Sequence, residues 1–241
     1  MDVKEQEILG SDIGKHWYYV SKGRALRAML GDTRVDEVVD VGAGSGVFSR
    51  QLIEAGICDR ATCVDPAYAS DSTELHDGHR LSFVRSIEDR PLDLVLMMDV
   101  LEHVEDDIQL LKQYTKSLSR DGQVVVTVPA FQFLWSGHDV FLEHHRRYTR
   151  SMLSDVIEAA DLQEVRSRYF FGLLFPVAAA VRLAAARKLR SGAVEPRSSL
   201  RKYGATTNKV LTLIHDLERK LLFPANVLAG LTLFCVARRR R

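Results

Sequence analysis

The run Val38-Val-Asp-Val-Gly-Ala-Gly-Ser-Gly-Val47 limits what this chain can fold into more than any other stretch. Val38 to Val41 reads as a short buried strand. The three glycines at alternate positions after it require a tight backbone turn that opens into a helix, Val47 to Ala55. Glycine suits that turn because a side chain would hold the backbone away from a ligand, and the first helical turn beyond it presents unpaired N–H groups. The stretch is therefore the site of a nucleotide-like ligand.

The spacing narrows the ligand. A dinucleotide fingerprint places its glycines as G-x-G-x-x-G, with the last packing helix on strand. Gly42 and Gly44 fit, but Val47 stands in the third position and the extra glycine, Gly46, comes one residue early. Asp40, two residues before the first glycine, sets a carboxylate at the strand end, where it would repel a pyrophosphate and attract a cation. D-x-G-x-G-x-G suits S-adenosyl-L-methionine, which carries an ammonium and a sulfonium. On these residues the sequence resembles the class I S-adenosylmethionine-dependent methyltransferases. The resemblance implies a Rossmann-like α/β fold: a seven-stranded, mainly parallel sheet with an antiparallel last strand, helices on both faces, and the cofactor held at Asp40, Gly42, Ala43 and Gly44. Two rivals stay open, a nicotinamide oxidoreductase, which Val47 and Asp40 disfavour, and a non-catalytic cofactor-binding protein at a membrane surface.

A chain of 241 residues, 46% hydrophobic, suits one α/β domain with an elaboration. With 33 basic against 32 acidic residues, no global field recruits nucleic acid, although Arg238 to Arg241 form a local basic cluster. Cys58, Cys63 and Cys235 lack metal-binding spacing, so no metal is expected and a reducing compartment is. Met1 to Glu7 is acidic and polar, unlike a signal peptide, which favours a cytoplasmic location.

In chain order, His16-Trp-Tyr-Tyr19 leads into an amphipathic helix over Gly23 to Leu30. It either packs on the sheet edge or lets Tyr18 or Tyr19 close over the ligand. Ala61 to Asp65 is the next strand, followed by Pro66. Asp65 lies about 20 residues beyond the glycines, where a second strand end offers an acceptor-only carboxylate to ribose hydroxyls. Leu81 to Ser86 is a third strand, and the resemblance implies adenine contacts at Ser86 and Ile87, with Ser86 standing where many relatives have Asp. Leu92 to Met98 is a nearly unbroken apolar run, as a central strand requires. Asp99-Val-Leu-Glu-His103 resembles the family's segment after that strand, which implies contacts of Asp99, Leu101 and His103 with the methionine part of the cofactor. Asp106 or Asp107 caps a helix over Ile108 to Ser119, and Gln123 to Val128 is the fifth strand. This alternation predicts a parallel sheet with ligand at its strand C-terminal ends.

Val128 to Thr149 leaves that sheet face carrying aromatics, three histidines, an aspartate and two arginines, too polar for core. Histidine supplies a base near neutral pH, and paired arginines suit a phosphate or carboxylate through forked hydrogen bonds. Trp-Ser-x-x-Asp followed by His-x-Arg-Arg-Tyr-Thr resembles a subgroup of methyltransferases linked to cell-envelope and lipid-linked glycan synthesis, matched here at Asp139, His144, Arg146, Arg147 and Tyr148. His144 is the first candidate base. His138 and His145 follow it, and Asp139 belongs to the same catalytic group. Arg146, Arg147, Tyr148, Trp135 and Tyr19 are the candidate acceptor contacts. Thr149 or Ser151 caps a helix over Met152 to Ala160.

Gln163 to Phe170 and Gly230 to Ala237 read as the closing strand pair. The methyltransferase domain is thus 1–170 with 227–241, and 171–226 is a helical insertion. Its first helix is apolar from Phe170 to Val181 and then basic at Arg182, Arg187, Lys188 and Arg190. Ser191 to Ser199 reads as a linker. The second helix, Asn208 to Leu221, carries an apolar stripe at Val210, Leu213, Ile214, Leu217 and Leu221. Pro176 and Arg182 interrupt the first run and Pro224 and Asn226 the second, so neither is a membrane span. The insertion covers the active-site mouth, lies on a membrane surface, or joins two copies of the chain. The expected activity is methyl transfer to an oxygen or nitrogen of a small-molecule or lipid-linked acceptor, such as a phosphorylated polyprenyl-linked sugar.

Overall fold

The structure, a computed structural model, describes residues 8–190, 198 and 201–240, without the side chains of residues 11 and 185–190. The readings of Met1 to Glu7, of Arg241, of the basic side chains at 187, 188 and 190, and of the 191–199 linker apart from Ser198 fall outside that range.

The strands form one sheet: β1 (Val35–Val41), β2 (Cys58–Val64), β3 (Ser72–His76), β4 (His79–Val84), β5 (Leu92–Met98), β6 (Leu118–Pro129), β7 (Leu162–Phe170) and β8 (Thr232–Arg239), in the order β3-β4-β2-β1-β5-β6-β8-β7. Strands β4, β2, β1, β5 and β6 run parallel, and β8 lies antiparallel between β6 and β7. The expected Rossmann-like fold is therefore present, with eight strands where seven are expected. The extra strand is β3, an edge hairpin with β4 turned at Asp77 and Gly78, both at positive φ. That Asp-Gly pair is a favoured two-residue hairpin turn.

Seven helices accompany the strands among the described residues: α1 (Trp17–Leu30), α2 (Val47–Glu54), α3 (Asp107–Thr115), α4 (Gly137–Phe141), α5 (Arg150–Ala159), α6 (Phe175–Arg190) and α7 (Ala205–Leu221). The sheet's two faces bury separate clusters. Val38, Leu94 and Leu96 pack with Leu26 of α1 and Leu52 of α2, while Val39, Val95 and Met97 pack with Leu111 of α3 and Leu153 of α5. Strand β5 is buried on both sides, as its apolar run requires.

Helix α1 starts at Trp17, six residues earlier than its apolar pattern, because His16 Nδ1 caps it by accepting from the Tyr18 N–H at 3.3 Å. Asp106 caps α3, and Thr149 caps α5 by accepting from the Met152 N–H. Helix α3 stops at Thr115 because Leu118 already begins β6.

The insertion is anchored to the body through α7. The Trp17 N–H donates to Asn208 Oδ1 at 3.0 Å, the Trp17 and His215 rings stack at 5.3 Å, and Arg24 pairs with Asp216. Glu218 is buried and accepts from the Gly172 N–H. The apolar stripe of α7 faces outward: Val210, Leu213, Leu217 and Leu221 are 52–69% exposed. Among the described residues no helix is long and apolar enough to cross a membrane.

Candidate functional site

From β1 the chain steps outward to β2 and β4, then returns to place β5 and β6 on the other side of β1. The crevice between the C-terminal ends of β1 and β5 is the topological switch point, where ligands bind in sheets of this kind. The glycine loop lies on one side of it and Asp99 on the other.

Gly42, Gly44 and Gly46 have φ of 67, 52 and 70°, a left-handed region that favours glycine. A Cβ on Gly46 would also sit 3.0 Å from Cys63 Sγ. The Gly42 N–H donates to the Val64 carbonyl at 2.7 Å, tying the loop to β2, and Ala43 is buried beside it. Asp40 lies beneath the loop, where Oδ2 accepts from Ser49 Oγ at 2.8 Å and Oδ1 has no partner among the described residues. Burial pushes its carboxyl up to about 6 against the opposing Ser49 bond. Asp65 braces the loop from the end of β2, accepting from the Gly44 N–H at 3.2 Å and the Ala67 N–H at 3.0 Å. Pro66 and Ser86 are exposed and Ile87 is half-buried.

Asp99 follows β5 at φ 56°, a left-handed conformation uncommon outside glycine. Its carboxylate accepts from Thr127 Oγ1 at 3.1 Å and from the Lys22 ammonium. Burial alone would raise the Asp99 carboxyl, but the adjacent Lys22 charge holds it below its ordinary range. Lys22 itself is fully buried within α1. Sequence reasoning missed it, and its one signal is a lysine on the inward face of the helix.

A cavity of about 380 Å³ opens beside Asp99. Glu102, His103, His138 and His144 form a polar wall, and Leu174 with Val177, Ala178 and Val181 of α6 forms an apolar one. The His103 and His144 rings meet edge to face at 4.7 Å between centroids. His144 Nδ1 lies 3.0 Å from Asp139 Oδ1, which also accepts from Arg147 Nε at 2.6 Å. The other oxygen of Asp139 accepts from the Ser136 N–H at 2.8 Å and its hydroxyl at 3.0 Å, so the box that caps α4 also anchors the histidine. Burial works to raise the Asp139 carboxyl, yet His144 and Arg147 hold it far below the usual range. Burial, with a contribution from Arg182, lowers His138 to about 3. Burial, with a contribution from His144, lowers His103 to about 4. Both are neutral at pH 7. Glu102 is raised well above its ordinary value by burial and by Asp99.

Of the residues singled out from sequence, Asp99, His103, His138, His144 and Arg147 line this cavity. Asp139 is fully buried and reaches the cavity through His144. Tyr18 lines it, whereas Tyr19 is buried against Phe48. Arg146 donates to Asp107 at 3.1 Å and to the Val104 and Glu105 carbonyls. The Tyr148 hydroxyl donates to Asp107 at 2.7 Å and lies 3.2 Å from the Leu101 carbonyl. These two residues therefore clamp the turn after β5, with Leu101 buried beneath them. Trp135 and His145 are outside the cavity lining. The arginine that sequence reasoning missed is Arg182 of α6, which lines the cavity and donates to the Leu134 carbonyl at 3.2 Å. Burial and then Arg147 lower it to about 10, so it is charged at neutral pH. A larger hollow of about 630 Å³ between α1 and α7 contains neither the glycine loop nor the Glu102–His144 group.

A family model described as a methyltransferase domain matches residues 16–167, more than half of the chain. The chain belongs to that methyltransferase family. An S-adenosylmethionine-dependent methyltransferase from Archaeoglobus fulgidus has a similar structure at 17% identity and a TM-score of 0.53, covering 98% of this chain and 98% of that one. A chain from the complex of the Haloferax volcanii Trm112 methyltransferase activator with a methyltransferase is 18% identical at a TM-score of 0.57, covering 99% of this chain and 93% of that one. The [4+2]-cyclase SpnF is 15% identical at a TM-score of 0.54, covering 91% of this chain and 79% of that one. No curated protein matches. At these identities the structural likeness carries the fold alone, and a cyclase shares it, so the methyltransferase's acceptor has to be argued from its own site.

Proposed function

We propose that this methyltransferase moves the methyl group of S-adenosylmethionine to an oxygen or nitrogen of an amphiphilic acceptor bound beneath α6. The residues fit the cofactor. The glycine loop leaves backbone that a ligand can approach, and Asp40 Oδ1 is a buried acceptor without a partner among the described residues, suited to an ammonium. A carboxylate has about four acceptor sites, and the Gly44 and Ala67 amides leave Asp65 with capacity for ribose hydroxyls. Bound in the crevice, the cofactor supplies an electrophilic methyl group on a sulfonium that departs as a thioether. The protein's share is therefore mainly placement.

The observation that carries the acceptor half is the two-sided lining of the cavity. Its apolar wall on α6 suits a hydrocarbon part, and the polar wall with Arg182 suits an anionic or hydroxylated head. Arg146 and Arg147 are already committed to Asp107 and Asp139, so Arg182 replaces them as the cation for a phosphate or carboxylate. The outward stripe of α7 supports presentation at a lipid surface from the cytoplasmic side, with a lipid-linked phosphorylated sugar as one acceptor of that class. A neutral amine acceptor needs no base. A hydroxyl acceptor gives up its proton at the Glu102–His103–His144 corner of the cavity.

The test is transfer of labelled methyl from S-adenosylmethionine into aqueous and lipid-phase extracts. Label in the lipid phase is expected, and label confined to the aqueous phase overturns the amphiphile. Calorimetry showing tight NAD binding with none of S-adenosylmethionine would establish the oxidoreductase instead.

A further inference from the structure

Glu102 is fully buried at the cavity wall, and neither of its carboxylate oxygens has a hydrogen-bond partner from another residue among those described. Burying a carboxylate without partners is costly, and natural sites meet that cost with hydrogen bonds, an opposite charge or a metal. One potential ligand atom each from Glu102, His103 and His144 lies within 4.8 Å of the others.

Each of the two imidazoles keeps one ring nitrogen free for a ligand role. Asp139 already accepts three hydrogen bonds from Arg147 and Ser136, so His144 Nδ1 faces an acceptor and carries the hydrogen, which leaves the Nε2 lone pair free. His103 bonds the Leu142 carbonyl, which can only accept, so one ring nitrogen donates and the other keeps its lone pair. A carboxylate or carbonyl behind each histidine is the usual support of a metal ligand, because it fixes tautomer and ring direction.

We propose that Glu102, His103 and His144 bind a divalent first-row transition ion of the manganese, cobalt or zinc class, with open coordination positions facing the acceptor cavity. A set of two imidazoles and one carboxylate suits these ions better than magnesium or calcium, which prefer oxygen ligands alone. The sequence expectation of no metal rests on cysteine spacing and does not bear on a site built from glutamate and histidine. The proposal deepens the acceptor-site reading and rests on it for its function. An ion held by Glu102, His103 and His144 would lower the pKa of an acceptor hydroxyl, whose proton would pass to water while its oxygen forms the bond to the methyl group and the sulfonium's S–CH3 bond breaks to leave a thioether.

Untagged full-length protein is stripped with a chelator and titrated with cobalt(II), reading the visible d–d absorption of the bound ion. Saturation at one ion per chain, displaced by zinc, is expected. Glu102→Gln and His144→Gln should each weaken binding by about tenfold or more, with circular dichroism confirming that both variants fold. No cobalt band, or an undiminished band in both folded variants, overturns the site. S-adenosylmethionine binding is measured on the same stripped protein. If the cofactor binds and cobalt does not, the metal site fails alone. If cobalt binds and the cofactor does not, the metal site stands and the methyl-transfer reading fails.

Discussion

Asp139→Asn is the substitution whose cost can be worked most fully from the structure. Asp139 takes four donors on its two oxygens: His144 and Arg147 on one, the Ser136 N–H and hydroxyl on the other. Asparagine keeps the shape but turns one oxygen into an NH₂ that faces donors, so one pair of bonds is lost however the amide is flipped. It also leaves Arg147, whose side chain is only 3% exposed, as an uncompensated buried charge. Breaking a buried pair in this way costs about 3–5 kcal/mol. For a chain of this length that corresponds to a melting-point fall of roughly 6–20 °C. The pH dependence has a definite sign. The folded-state value of Asp139 is depressed, so its stabilisation is present above the ordinary unfolded carboxyl value of about 3.9 and is lost as pH falls towards the folded one. Scanning calorimetry of both proteins between neutral pH and pH 3 should show a large gap that narrows below about pH 4. A fall of less than about 2 °C at neutral pH, or a gap that widens on acidification, would refute the reasoning.

Three further outcomes follow from the site. Asp65→Ala should weaken S-adenosylmethionine binding by about 1–3 kcal/mol through lost buried hydrogen bonds, and an unchanged Kd in calorimetry removes Asp65 from the cofactor site. Burial raises Asp40 to about 6, and an ammonium needs it ionised. Cofactor affinity should therefore fall as pH drops below about 6, by at most about tenfold per pH unit, and Asp40→Asn should flatten that slope. Replacing Leu213, Leu217 and Leu221 together by serine should leave the melting point within about 2 °C, since the three face outward. The same change should abolish sedimentation with anionic vesicles, and retained sedimentation contradicts a lipid-facing α7.

Much of the sheet was legible because its signals are local. The apolar run of β5 and the glycine loop after β1 each report their own neighbourhood, and the alternation of elements sets the parallel order. Strand β3 escaped because its side chains are mostly polar and exposed, with Leu75 its one apolar residue, leaving Asp77-Gly78 as the main cue. The charged residues were harder, since their meaning depends on partners distant in sequence. Arg146 and Arg147 look free for a ligand until Asp107 and Asp139 are seen to hold them. Arg182 looks like an interruption of an apolar helix until α6 is laid over the cavity. Lys22 acquires its role from Asp99, which only the fold brings beside it. In α7 the periodic pattern marks the outward face, while His215 and Glu218 turn inward beneath Trp17 and Gly172, an inversion that hydropathy alone cannot reveal.

The central claim is that the cavity under α6 holds the acceptor while the crevice at the glycine loop holds the cofactor. Ala178→Trp tests it most directly, because the indole would fill the cavity from α6 without touching the glycine loop. Labelled methyl transfer to a lipid-phase extract should be lost in this variant while S-adenosylmethionine affinity stays at the wild-type value. Wild-type transfer by the folded variant would contradict the assignment of that cavity as the acceptor site.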